Sequence, residues 1–130
     1  MIILKSDEEI AKMRAAGRLV AEVHSRLGEL VRPGITTMAL NSMVEEWIEK
    51  RGGIPSFKGY RGFPASACIS VNDEVVHGIP GSRVLVEGDI VGVDVGVILD
   101  GYHGDAAVTY QVGQVDEVAR RLLEVTQGAL

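Results

Sequence analysis

The sequence predicts an α/β fold in which helices pack on a mainly antiparallel sheet containing one long hairpin. Three observations predict it. Two segments near the N-terminus repeat apolar residues at helical spacing. The pair Asp100-Gly101 separates two β-prone runs, Ile90 to Leu99 and Tyr102 to Tyr110, and Asp-Gly in that setting is the strongest short-range hairpin signal. The 16 glycines in 130 residues point to tight turns and close backbone approaches.

Ser6-Asp-Glu-Glu9 is a capping box. It opens a first helix whose apolar positions are Ile10, Met13, Gly17, Val20, Val23, Leu27 and Leu30, and Pro33-Gly34 ends it. A second helix starts with Thr36 or Thr37 as N-cap and carries Leu40, Met43, Val44, Trp47 and Ile48 before Gly52-Gly53. Trp47 on that stripe reads as a core anchor, with ligand stacking as the competing role. His24 falls among charged residues of the first helix and reads as solvated. Residues 54–66 are broken by Pro55, Gly59, Gly62 and Pro64 and read as irregular. Ala67 to Val71 is a short strand, Asn72-Asp73 a turn, Val84 to Val86 another short strand, and Glu87-Gly88-Asp89 a turn before the hairpin. A last helix runs from Val115 to Leu130, capped by Asp116, with Val118, Leu122, Val125 and Ala129 apolar. No turn chemistry follows Gly128, which reads as the front part of something longer, natural or engineered; a fraying terminal helix is the alternative.

The hairpin places two carboxylates together. A two-residue turn at Asp100-Gly101 pairs Leu99 with Tyr102, so Asp94 faces Ala107 and Gly96 faces Asp105. Side chains alternate along a strand, so Asp94, Gly96, Asp105 and Ala107 share one face. Diagonal neighbours lie roughly 7–8 Å apart. Val93, Val95, Val97 and Leu99 line the opposite face and pack on a core. A carboxylate among valines needs a partner, a cation or a proton. Spacing alone leaves two readings open: a divalent ion, or a close pair of ions, between the aspartates, or one aspartate on a solvated face and the other near a turn.

A net charge of −5 and the lack of a basic cluster with interleaved aromatics argue against nucleic-acid binding. No stretch approaches the ~20 apolar residues of a membrane span. The N-terminus lacks the apolar region of a signal peptide, and the single cysteine, Cys68, excludes an intrachain disulfide. Both point to the cytoplasm.

Three runs together resemble the bacterial type I methionine aminopeptidases: Tyr60 through Cys68, Asn72 and His77 to Pro80; Glu87-Gly-Asp89-Ile-Val-Gly-Val-Asp94; and Asp100-Gly-Tyr-His103-Gly-Asp105. The opening from Ser6 to Gly17 and the run Val31 to Thr37 look similar too. The resemblance covers essentially all of residues 1–130. It implies a pita-bread α/β fold of two similar halves, of which this chain looks like the N-terminal one.

In that family two aspartates, one histidine and two glutamates hold two divalent ions, with Co, Mn, Fe, Zn or Mg as candidates. By motif Asp94 and Asp105 match the two aspartates. The histidine and glutamates belong to the other half, so occupancy by this chain alone is doubtful. His77 matches the histidine that contacts substrate and stabilises the tetrahedral intermediate, against an ordinary loop histidine as the alternative. Tyr60, Phe63 and Cys68 match positions around the methionine side chain, against plain core as the alternative. Phe63 stands where tyrosine is common, and Phe57 where cysteine is common. His103 looks like a residue that braces a ligand from behind. No histidine is placed by motif to activate Cys68 as a nucleophile.

The resemblance implies removal of methionine from peptide or nascent-protein N-termini, with this chain inactive or weak alone. The competing expectation is a non-catalytic half-domain. It would pair with itself as a pseudo-symmetric homodimer, gathering four carboxylates suited to Mn²⁺ or Mg²⁺, or complement a separate C-terminal half.

Overall fold

The computed structural model describes residues 2–130. Helix α1 (Asp7–Leu30) begins at the expected capping box: the Ser6 hydroxyl accepts from the Glu9 N–H, and the Glu9 carboxylate accepts from the Ser6 N–H at 2.7 Å. Helix α2 (Thr37–Lys50) is capped by Thr36, whose hydroxyl accepts from Ala39 N–H. Both helices lie on one face of a four-stranded antiparallel sheet. Its central strand is β3 (Ile90–Leu99). Strand β4 (Tyr102–Gln111) runs along one side of β3 for its full length. The short β1 (Ile54–Pro55) and β2 (Ala67–Val71) share the other side.

The core forms where these layers meet. Val91, Val93, Val95 and Val97 of β3 are fully buried against Leu19, Val20, Val23 and Leu27 of α1 and Leu40, Val44 and Ile48 of α2. Trp47 packs half-buried at the margin of this core, with the Arg26 guanidinium 5.5 Å from its ring. Strand β4 needs glycine to come close to α1: a Cβ at Gly104 would lie 2.6 Å from the backbone of Ala16.

Four expectations are corrected. Ile10 and Met13 are exposed, because the first turns of α1 overhang the sheet; the buried row starts at Ala16. Val84 to Val86 is no strand. It forms one bridge, Thr36 to Val84, and pairs with a loop, the Gly34 N–H donating to the Leu85 carbonyl at 2.8 Å. Within 54–66, the supposedly irregular stretch, Ile54 and Pro55 pair with β3, and Tyr60–Gly62 form a single 3₁₀ turn.

His24 is buried rather than solvated. Its Nδ1 lies 2.8 Å from the Tyr110 hydroxyl and its Nε2 2.8 Å from the Ala106 carbonyl, so the ring ties α1 to β4. The last helix, α3 (Glu117–Gly128), has its expected Asp116 cap. Its apolar row is uncovered, with Val118 79% and Leu122 57% exposed; only Ala119 and Leu123 are half-buried. Among the described residues, no helix is long and apolar enough to cross a membrane.

Candidate metal and peptide site

Asp100 and Gly101 both take left-handed conformations, φ 50° and 81°, as a type I′ turn requires. That turn sets the whole ladder: Leu99 opposite Tyr102, Gly96 opposite Asp105, Asp94 opposite Ala107. The valine face is buried, and the aspartates come out together on the other face. Strand β2 adds Cys68 directly opposite Asp94. Gly96, between the aspartates in this lattice, lets an aromatic ring approach, since a Cβ there would lie 2.6 Å from the Phe57 ring.

Two loops complete the arrangement. The segment after β2 is pressed against its own strand: Ile69 N–H donates to the Gly78 carbonyl at 2.8 Å, Gly78 N–H donates to the Ser70 hydroxyl at 3.1 Å, and a Cβ at Gly78 would overlap the Ile69 carbonyl. That pressure holds His77 in a left-handed conformation, φ 60°, of the kind that concentrates at functional sites. The loop before β2 is closed by Gly59 N–H donating to the Phe63 carbonyl at 2.8 Å. It brings Tyr60 and Phe63 round to the same place.

The result is a hollow of about 540 Å³ lined by Asp94, Asp105, Cys68, His77, Tyr60 and Phe63, with Phe57 and Ile79. Six of the seven residues singled out from sequence therefore meet at one site. The seventh, His103, lies outside the lining, its Nδ1 3.1 Å from the Ser56 hydroxyl. Arg61 and Ile79 also line the hollow, and the sequence reading missed both. The signal for Arg61 was its position between glycines in Gly59-Tyr-Arg-Gly62, a loop that holds it at the rim.

The electrostatics of the hollow are unfavourable as they stand. Burial, reinforced by the neighbouring Asp105 charge and opposed by His77, pushes Asp94 up to about 6. One of its oxygens, Oδ1, is buried with no hydrogen-bond partner. Burial, with Asp94 and Asp105 adding, pushes the Cys68 thiol up to about 11, so it stays protonated at neutral pH and serves as apolar lining rather than nucleophile. An orphaned carboxylate oxygen beside a second carboxylate fits a hard divalent cation. The donor set is short, however. Among the described residues no group of three or more histidine, cysteine, aspartate or glutamate side chains has a metal-binding arrangement.

The model of metallopeptidase family M24 matches residues 11–130. The chain belongs to this family. This M24 chain is 54% identical over 130 residues to methionine aminopeptidase 1 of Bacillus subtilis (strain 168), covering all of itself and 52% of that relative. Its structure is similar to the methionine aminopeptidase crystal structures from Rickettsia prowazekii, with TM-score 0.97 and 43% identity over 99% of this chain and 52% of the other, and from Thermotoga maritima, with TM-score 0.96 and 45% identity over 100% and 53%. The α/β fold of the M24 chain, helices on an antiparallel sheet, is thus that of half a pita-bread domain. It spans about half the length of the relatives it matches.

Proposed function

We propose that this chain forms the N-terminal, substrate-holding half of a metal-dependent aminopeptidase that removes methionine from the N-termini of nascent proteins in the cytoplasm. One observation carries the reading. Two aspartates with an unsatisfied oxygen share a hollow with an aromatic and sulfur lining and one strained histidine.

Each residue has a part in it. Tyr60, Phe63 and Cys68 enclose an unbranched thioether, for which sulfur–aromatic contacts are favourable. A ring N–H of His77 donates to the scissile carbonyl as negative charge develops there. Asp94 and Asp105 would hold divalent ions, two in the complete ligand set that the resemblance implies, with Co, Mn, Fe, Zn or Mg as candidates; bound there, such ions supply hydroxide near neutral pH and polarise the carbonyl. His103 steadies Ser56, next to the Phe57 ring, rather than an aspartate. Two carboxylates alone hold a metal weakly, so the chain by itself is inactive or nearly so.

The uncovered row on α3 needs a covering surface. The comparisons give no support to self-pairing, and the half-length match favours a C-terminal half as the cover. The test is methionine release from a Met-Ala-Ser peptide with Mn²⁺ or Co²⁺, by the chain alone and with a C-terminal half supplied, beside an Asp94→Asn control. Release only by the complemented pair, lost in the control, is the expected result. Release by the chain alone that depends on Asp94 rejects the inactivity. No release from any combination rejects the aminopeptidase reading.

A further inference from the structure

Arg61 lines the hollow, and it is the site's one unexplained charge. Among the described residues its guanidinium pairs with no carboxylate: the basic side chains in ion pairs are Lys12, Arg26, Lys50, Arg51, Lys58, Arg83 and Arg120. The contrast within its own loop is clear. Lys58, three residues earlier, is paired with Glu45. Arg61 instead has its guanidinium carbon 5.5 Å from the centroid of the Tyr60 ring, and that cation–π contact keeps it at the rim.

The backbone reinforces the placement. Arg61 sits at φ 48°, ψ 31°, left-handed, between Gly59 and Gly62, both at φ 83°. A non-glycine residue in that conformation carries backbone strain and persists only where its surroundings impose it, and such residues concentrate at ligand clamps. Here the imposing bonds are Phe63 N–H to the Tyr60 carbonyl at 2.9 Å and Gly59 N–H to the Phe63 carbonyl at 2.8 Å. Left to its two carboxylates, the hollow would repel acidic peptides. An unpaired guanidinium on the lining offsets part of that repulsion on its own side of the hollow.

We infer that Arg61 is a specificity-determining residue that selects peptides carrying a carboxylate within the few residues after the first. The inference rests on the proposed peptide reading of the hollow. The carboxylate comes from an acidic side chain or from the C-terminus of a short peptide. Guanidinium suits either, since it pairs with carboxylate through two parallel N–H donors.

The test is titration of the isotope-labelled 130-residue chain with three peptides, reading the amide resonances of Cys68 and His77. The peptides are Met-Ala-Glu-Ser amide, Met-Ala-Gln-Ser amide and Met-Ala-Gln-Ser free acid. An exposed, well-held ion pair gives about threefold to fivefold tighter binding. That preference, for the Glu amide or for the free acid, names the source of the carboxylate. It is expected to vanish or invert in both Arg61→Gln and Arg61→Gly, the second also relaxing the backbone. Equal affinities for all three peptides, with Cys68 and His77 perturbed, overturn the role of Arg61 and leave the peptide site standing. A preference that survives both substitutions overturns it too. No perturbation of Cys68 or His77 by any peptide overturns both readings.

Discussion

Asp94 combines a chemical role with a cost to stability. Its carboxyl group is raised to about 6 by burial and by Asp105, so the native state holds its proton more tightly than the unfolded chain. The penalty is absent at low pH and appears as pH rises through the window from the ordinary value of 3.8 to about 6. In metal-free buffer, Asp94→Asn is therefore expected to raise stability at pH 7.5, on the order of 1 kcal/mol after allowing for solvent screening, and to change little at pH 4. Urea midpoints at the two pH values check this. Added Mn²⁺ is expected to stabilise the wild type more than the variant. His24 works in the opposite sense. Burial lowers its pKa, with the Ala106 bond opposing, so the native ring resists protonation. Its contribution is whole above about 6.5 and declines as pH falls below that value. His24→Gln is expected to flatten the loss of stability between pH 7 and 5.5, read as the same urea midpoints. The titratable group facing it is the Tyr110 hydroxyl, pushed up to about 12 by burial, which stays neutral throughout that range. Sequence made Asp94 legible because period-two alternation is enough to assign its face. It misplaced His24 because charged neighbours along a helix say nothing about what a distant strand brings to the ring.

Elements were legible where local chemistry sets both ends. The capping box gave the start of α1, and Asp100-Gly101 gave ten cross-strand pairs. Val84 to Val86 misled because Leu85 is buried between two exposed valines, which is strand alternation, while its partner across the bridge is a loop. The overhang of Ile10 and Met13 was invisible because helical periodicity does not say where the sheet beneath stops. The contact between α1 and β4 depends on a missing side chain. Gly104→Ala is expected to force the two elements apart and cost about 1–3 kcal/mol, as overpacking does; thermal unfolding beside Ala107→Ser, an exposed site on the same strand, measures it.

At the scale of the molecule, the two faces of the sheet are unequal. One is closed by α1 and α2. The other carries the hollow, and beyond it α3 with Val118, Leu122 and Val125 exposed. Contiguous apolar surface of this kind marks an interface or an aggregation risk. Val118→Lys together with Leu122→Glu is expected to reduce dye binding and self-association of the chain alone, measured by ANS fluorescence and sedimentation. It is expected to weaken recovery of activity by an added C-terminal half. The amphipathic pattern of α3 was plain in the sequence, but a pattern records that a face wants cover and not what covers it.

The turn at Asp100-Gly101 has a consequence for how such chains can vary. Surface turns normally tolerate added residues. Here one extra residue would shift β4 by one step and exchange every inward and outward side chain along it. Asp105 would then sit opposite Val95 and face the valines, and Gly104 would take its place opposite Gly96. The exposed tip of this hairpin is consequently as intolerant of a change in length as the buried core is of a change in volume.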